Sequence, residues 1–171
     1  MPTDMKKIIA DTFLKMIEHG NIDKITVKAL IEECHISRQT FYYHFQDLMD
    51  VLEWSVNQGM KKLVEESLKA PDMRSALRVF VSFAAENYSG LRKLMDSQRR
   101  AGIEKLLIEA VETYLKEMIR GRQPELYGNY PDMDVLLRFY ACGLVGILIF
   151  CGGRPHLDQE RLVLQLEQIL S

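Results

Sequence analysis

The sequence predicts an all-α protein of about nine helices, and three observations carry that expectation. Gly and Pro punctuate the 171-residue chain at Gly20, Pro71, Gly90, Gly102, Gly121, Pro124, Pro131 and Gly152–Gly153, and most segments between them are long enough for helices. Those segments are rich in Leu, Glu, Lys, Met and Ala, which are good helix formers. No stretch shows convincing strand alternation, and there is no internal repeat. With 47% hydrophobic and 27% charged residues, the chain has the balance of an ordinary soluble globular protein. That excludes a disordered chain, a collagen-like fibre and a multi-span membrane protein. At roughly 100–200 residues per domain, one large domain or two small ones are expected.

The first helix is predicted over residues 4–19, where Ile8, Ile9, Thr12, Phe13, Met16 and Ile17 repeat at helical spacing and Gly20 stops the run. Its apolar residues are interspersed with charges, so it is not read as a signal peptide, and a reducing, cytoplasmic setting is expected. Thr26 suits the N-cap of a short second helix over 27–33, with Val27, Leu30, Ile31 and Cys34 inward. Cys34-His35-Ile36 is too short for anything but a turn. Ser37 caps a third helix over 38–44, and Asp47 caps a long fourth helix to residue 69. Further helices are expected over 72–88, 90–97, 102–120, 132–151 and 157–170.

The helix over 132–151 is apolar almost all round, which implies burial on all sides. It falls short of the ~20 consecutive apolar residues of a membrane span and contains Arg138. A second subunit is the simplest source of that burial, and Gly143 and Gly146 permit close approach. The three cysteines, Cys34, Cys142 and Cys151, are odd in number and lack Cys-x-x-Cys spacing. A disulfide scaffold and a zinc site are therefore not expected. Nor is a metal or other cofactor, or an enzyme. The chain has no Gly-rich phosphate loop, no His-Glu-x-x-His and no Gly-x-Ser-x-Gly.

The informative stretch is Ile25 to Phe45, ITVKALIEECHISRQTFYYHF: a capped short helix, a three-residue turn and a second capped short helix. At about 100° per residue, with Phe41 inward, Phe45 and Ser37 lie within about 40° of it, while Gln39 and Tyr43 point away. Arg38, Gln39, Thr40, Tyr42 and Tyr43 then form an outward face. Exposed aromatics beside Arg, Gln and Thr suit a helix in the DNA major groove, where Arg and Gln read base edges and hydroxyls hold phosphates. Packing in a helical bundle is the alternative for Tyr42, Tyr43 and His44.

This stretch resembles the DNA-binding domain of TetR/AcrR-family transcriptional regulators. The carrying residues are Thr26-Val27, Ile31, Ile36-Ser37, Thr40 and Phe41-Tyr42-Tyr43-His44-Phe45, and the specific match covers residues 8–52. TFYYHFQDLMDVLEW is similar to the subgroup of DhaS-like regulators of dihydroxyacetone kinase. The resemblance implies a helix-turn-helix domain over 1–46 and a helical dimerisation and effector domain over 47–171. It implies a repressor-type regulator that binds a palindromic double-stranded DNA operator as a homodimer. Its signal would come from a small-molecule effector or from a partner sensor protein, and no membrane is involved. Thr26, Tyr42 and His44 would hold phosphates, with Lys28 near the duplex, and Arg38, Gln39, Thr40 and Tyr43 would face bases.

Two departures stand out. His35 occupies a turn position where the family usually has Gly, and a left-handed backbone there costs a non-Gly residue about 1 kcal/mol or more. Leu48 stands where the family often has a phosphate-contacting Lys. Residues 1–46 carry six positive and six negative side chains, so binding would rest on local placement rather than on a basic domain.

In the second half, Trp54, Met60, Phe80, Phe83, Tyr88, Tyr114, Met118, Arg138 and Phe139 are candidates for lining a mostly apolar effector pocket. Close packing of the core is the alternative at each. Leu136, Tyr140, Leu144 and Ile147 of the apolar helix, with Leu162, Leu166 and Ile169 of the last one, are the candidate dimer interface.

Overall fold

The structure is a computed structural model and describes residues 4–126, 131–151 and 158–170. Among the described residues there are nine α-helices and no strand. They are α1 (Met5–His19), α2 (Val27–Glu33), α3 (Arg38–His44), α4 (Leu48–Lys69), α5 (Met73–Glu86), α6 (Tyr88–Met95), α7 (Arg100–Arg122), α8 (Met133–Cys151) and α9 (Gln159–Leu170). A 3-10 turn over Ile22–Lys24 precedes α2 and was not expected from the sequence. The all-α expectation holds.

The N-caps follow from side-chain chemistry. Thr26 Oγ1 accepts the Ala29 amide at 3.1 Å, Ser37 Oγ that of Thr40 at 2.9 Å, and Asp47 Oδ1 that of Asp50 at 2.9 Å. Each such cap stabilises its helix by about 1 kcal/mol. Two glycines behave otherwise than expected. Gly102 lies inside α7, which starts earlier because Ser97 Oγ accepts the Arg99 amide and the Ser97 carbonyl that of Arg100. Gly121 does not stop α7 either. A Cβ there would stand 2.6 Å from Leu68 Cδ2, so this glycine lets α7 approach α4 closely. The α5–α6 break falls at Asn87, whose side-chain amide donates to the Phe83 carbonyl at 2.7 Å and competes with the helix.

His35 is the one non-Gly residue with positive φ among the described residues, at 54°. Its amide donates to Glu32 O and the amide of Ile36 to Ile31 O, both at 3.2 Å. That pair of bonds is the Schellman ending of a helix, which places the residue after the cap in the left-handed region. The turn geometry therefore demands what glycine supplies, and His35 adopts it with a Cβ in place.

Two apolar clusters organise the chain. The first unites Ile9, Phe13, Ile17, Leu30, Phe41 and Phe45 with Val51 and Leu52 of α4, and it extends to Leu94, Met95 and Ile103 of α6 and α7. The second packs Leu63 of α4 with Phe80, Val111, Tyr114, Leu144 and Leu166, among others. The core of the head thus does not stop at residue 46. Two polar bonds reinforce the junction: Lys93 Nζ donates to the Glu18 carbonyl, and Asp23 Oδ2 accepts the Gln98 amide at 3.1 Å.

The most extensive helix packing in the chain joins α7 and α8. Glu112 of α7 is buried and pairs with Arg138 of α8 at 2.7 Å and with Lys116 at 3.1 Å, while Lys116 also reaches Asp134 at 3.0 Å. α9 is held on α5 by Arg74–Glu167 at 2.7 Å and by a two-pronged Arg78–Glu160 pair at 2.8 and 2.9 Å.

The strained turn gives the first prediction. His35→Gly should raise unfolding stability by about 1 kcal/mol, because it removes a Cβ from a left-handed position. Urea unfolding followed by circular dichroism measures it. An unchanged or lower midpoint would show that the His35 side chain compensates for its backbone.

Candidate nucleic-acid interface and the adjoining cleft

α3 is a seven-residue helix set on the head core by Phe41 and Phe45. The side chains between those anchors point outward. Tyr43 is 84% exposed and Tyr42 is 48% exposed, and Arg38 and Gln39 are exposed beside them. Arg38 lies over the Tyr42 ring at 5.7 Å, a cation–π contact that holds the guanidinium on this face. Tyr43 meets His44 edge to face at 4.9 Å, and His44 is half-buried.

Thr40 differs from the expectation. It is half-buried, and its hydroxyl bonds to Ser37 Oγ at 2.8 Å, so it completes the helix cap rather than standing free. Thr26 and Lys28 are exposed at the start of α2, and Lys28 pairs loosely with Glu32 at 3.9 Å. Leu48 is buried in the head core, which accounts for the absence of a cation there.

A half-open cleft of about 790 Å³ lies beside the head. Trp54, Met60, Phe80 and Phe83 line it, four of the nine residues the sequence suggested. The other five stand elsewhere. Tyr114 and Met118 are buried in the second core, where Tyr114 packs on Phe80 at 5.2 Å and donates to Ser67 Oγ at 3.1 Å. Burial pushes the Tyr114 phenol up, partly offset by the Ser67 bond and Arg122, so it stays a neutral donor. Arg138 is committed to Glu112, Phe139 is 71% exposed, and Tyr88 does not reach the cleft.

The sequence pointed to walls from α4, α5, α7 and α8, and these helices do contribute. It missed α1 and α6, which add Leu14, Ile17 and Leu91. Leu14 gave a signal, being an apolar residue off the inward face of α1. Trp54 has a second contact: it meets Phe45, the residue that ends α3, edge to face at 6.1 Å. One side chain thus touches both the cleft and the base of the outward helix.

The interface candidates need a correction. Leu144, Leu162 and Leu166 are buried in the chain's own second core, and Leu136, Tyr140 and Ile147 are half-buried. The outward apolar face of α8 is instead Val135, Phe139, Cys142, Gly143 and Gly146, with open space at both glycines, and α9 adds Leu164 and Ile169. The periodicity was right, but α8 has two apolar faces and α9 turned the leucine stripe toward α5. α8 is long and apolar enough to cross a membrane by composition, yet its inner side joins the core and its polar residues pair with α7. Burial raises the Cys34 thiol above its ordinary value, helped by Glu33 and opposed by a hydrogen bond with Thr12, as suits a small core residue.

No protein-family model matches the chain. The HTH-type dhaKLM operon transcriptional activator DhaS of Lactococcus lactis subsp. lactis (strain IL1403) is 21% identical over 144 residues, which cover 83% of this chain and 76% of that protein. Among solved structures, the dihydroxyacetone kinase operon activator DhaS superposes with a TM-score of 0.67 at 20% identity, covering 96% of this chain and 93% of its own. The TetR family repressor AlkX from Dietzia sp. strain DQ12-45-1b gives 0.57 at 15% identity, over 98% and 93%. The fatty acid degradation regulator FadR from Bacillus halodurans gives 0.59 at 16%, over 99% and 96%. The chain therefore has the fold of TetR-type regulators and resembles the DhaS-like members. The relatives named are regulators, not enzymes.

The outward face of α3 yields a prediction. Tyr43→Ala and Gln39→Ala should each weaken sequence-specific DNA binding by about 1–3 kcal/mol and leave the helical content unchanged. Gel-shift titration at fixed salt reads it; wild-type affinity in both variants would reject the assignment of this face.

Proposed function

We propose that this chain is a DNA-binding transcriptional regulator that acts as a homodimer in the cytoplasm and answers to a small-molecule effector. The observation that carries this reading is α3. Two buried phenylalanines fix it, a serine caps it, and its outer face presents Arg38, Gln39, Tyr42 and Tyr43. A helix held so firmly with aromatics and a guanidinium outward is built for contact. Arg and Gln match base edges in the major groove, and the tyrosine hydroxyls and the α2 N-terminus match phosphates.

The apolar outer face of α8 supports the dimer. Val135 and Phe139 expose 69% and 71% of their surface, and glycines beside them allow another helix to come close. Two heads related by a two-fold axis read a palindrome whose half-sites lie about 34–36 Å apart, or a multiple of that. The cleft supports the effector, since a half-open apolar site of about 790 Å³ is of small-molecule size. α1 and Trp54 connect the cleft to the head, so a ligand that prefers one head position would shift DNA affinity. The relatives bear names of both signs, activator for DhaS and repressor for AlkX.

Selection of genomic fragments by the purified protein, followed by gel shifts, tests the reading. One enriched inverted repeat is expected, and a reporter carrying it gives the sign of regulation. Recovery of no common sequence would sink the DNA-reading function. Phe139→Glu should convert the dimer to a folded monomer and cost at least tenfold in operator affinity, since Phe139 is outside the chain's own core. Light scattering with circular dichroism decides this, and a wild-type dimer would place the interface elsewhere.

A further inference from the structure

We propose that the cleft takes a lipophilic cation; this rests on reading the cleft as the effector site. The walls set the first half of that chemistry. Trp54, Met60, Phe80, Phe83, Leu107 and Val145 come from four helices and offer apolar and aromatic surface. No charged side chain is buried among the lining residues, so an anionic group carried inside would find no cation to pair with. The polar groups nearer the walls are spent locally: Ser55 Oγ donates to the Val51 carbonyl at 2.7 Å, and the Asn87 amide to Phe83 O. Aromatic faces attract cations through their negative centres, which neutral aliphatic walls do not.

The rim sets the second half. Asp4, Asp11, Glu18 and Glu86 reach the cleft with their carboxylates, against the ammonium groups of Lys7 and Lys62. Lys62 already has Glu66 at 3.9 Å. Asp11, Glu18 and Glu86 have no ion-pair partner within 4.0 Å among the described residues. The mouth is therefore a field of uncompensated negative charge over an aromatic floor. Opposite charge at a low-dielectric opening concentrates a cationic ligand and repels an anionic one of the same shape.

A pair of isosteric probes tests this. Tetraphenylphosphonium and tetraphenylborate share size and shape and differ in sign. Trp54 is the only tryptophan of the chain and lines the cleft, so its emission reports occupancy. The phosphonium should give a saturable change with at least tenfold tighter binding than the borate. The triple variant Asp11→Asn, Glu18→Gln, Glu86→Gln should lose most of that preference. These side chains are all exposed, so circular dichroism should show an unchanged melt. Equal or tighter borate binding, no saturable signal from either probe, or a preference that survives in the triple variant would each overturn the proposal. Gel shifts on the same samples keep the two readings apart. A protein that binds its operator but not the phosphonium loses only the ligand class. One that binds the phosphonium but selects no DNA keeps the site and loses the regulatory role.

Discussion

One helix belongs to both apolar cores, and the rest of the molecule depends on that sharing. The first turns of α4 give Leu48, Val51 and Leu52 to the head, and its later turns give Leu63 and the buried Ser67 to the body. At ~1.5 Å per residue, its 22 residues form a rod of about 33 Å. Packed interiors are nearly as dense as organic crystals, so neither end can shift without repacking its neighbours. A rotation of the rod therefore moves α3 as a body with the head, and the cleft beside the rod is where such a rotation would meet least resistance.

The head is coupled to the body by more than this rod. Leu94, Met95 and Ile103 enter its core from α6 and α7, and the Lys93 and Gln98 contacts tie α6 to the α1 end and the 3-10 turn. The cleft is bounded by the same helices, with α1 on one wall and α6 on another. Its size is thus a measure of how closely head and body approach. Trp54 adds a direct line, because it touches the cleft on one side and the Phe45 ring on the other. The two routes act on different parts of the head, α1 and the end of α3, and both start from one site.

On the other side of the molecule, polarity and exposure are distributed differently. Glu112 is buried, and its carboxylate is matched by Arg138 and Lys116, so α8 is fixed in register on α7 by charge as well as by apolar contact. A buried charge left without partners would be costly, which makes the match specific. The outer face of α8 remains apolar and open. Fixing the inner face by ion pairs determines which residues the outer face presents.

The sequence by itself determined the local parts of this protein. Thr26, Ser37 and Asp47 announced their helices because capping needs only a side-chain oxygen and an amide three residues on. The outward face of α3 could be drawn because helical geometry fixes direction once Phe41 is taken as inward. The strain at His35 was legible for the same reason, since the turn is closed by bonds within six residues. What only the tertiary structure decided were the relations between distant segments. Nothing local says that Gly121 marks a close crossing with Leu68 rather than a stop, or that Arg138 meets Glu112. Likewise, a leucine stripe such as Leu162 and Leu166 can be seen in the sequence, but not whether its own α5 or a second chain covers it. Nor could α1 be seen as a wall of the cleft, because Leu14 reads locally as a stray apolar residue until α4, α5 and α6 close around it. Apolar burial is non-directional, so periodicity fixes which face is hidden and leaves to the whole fold what hides it.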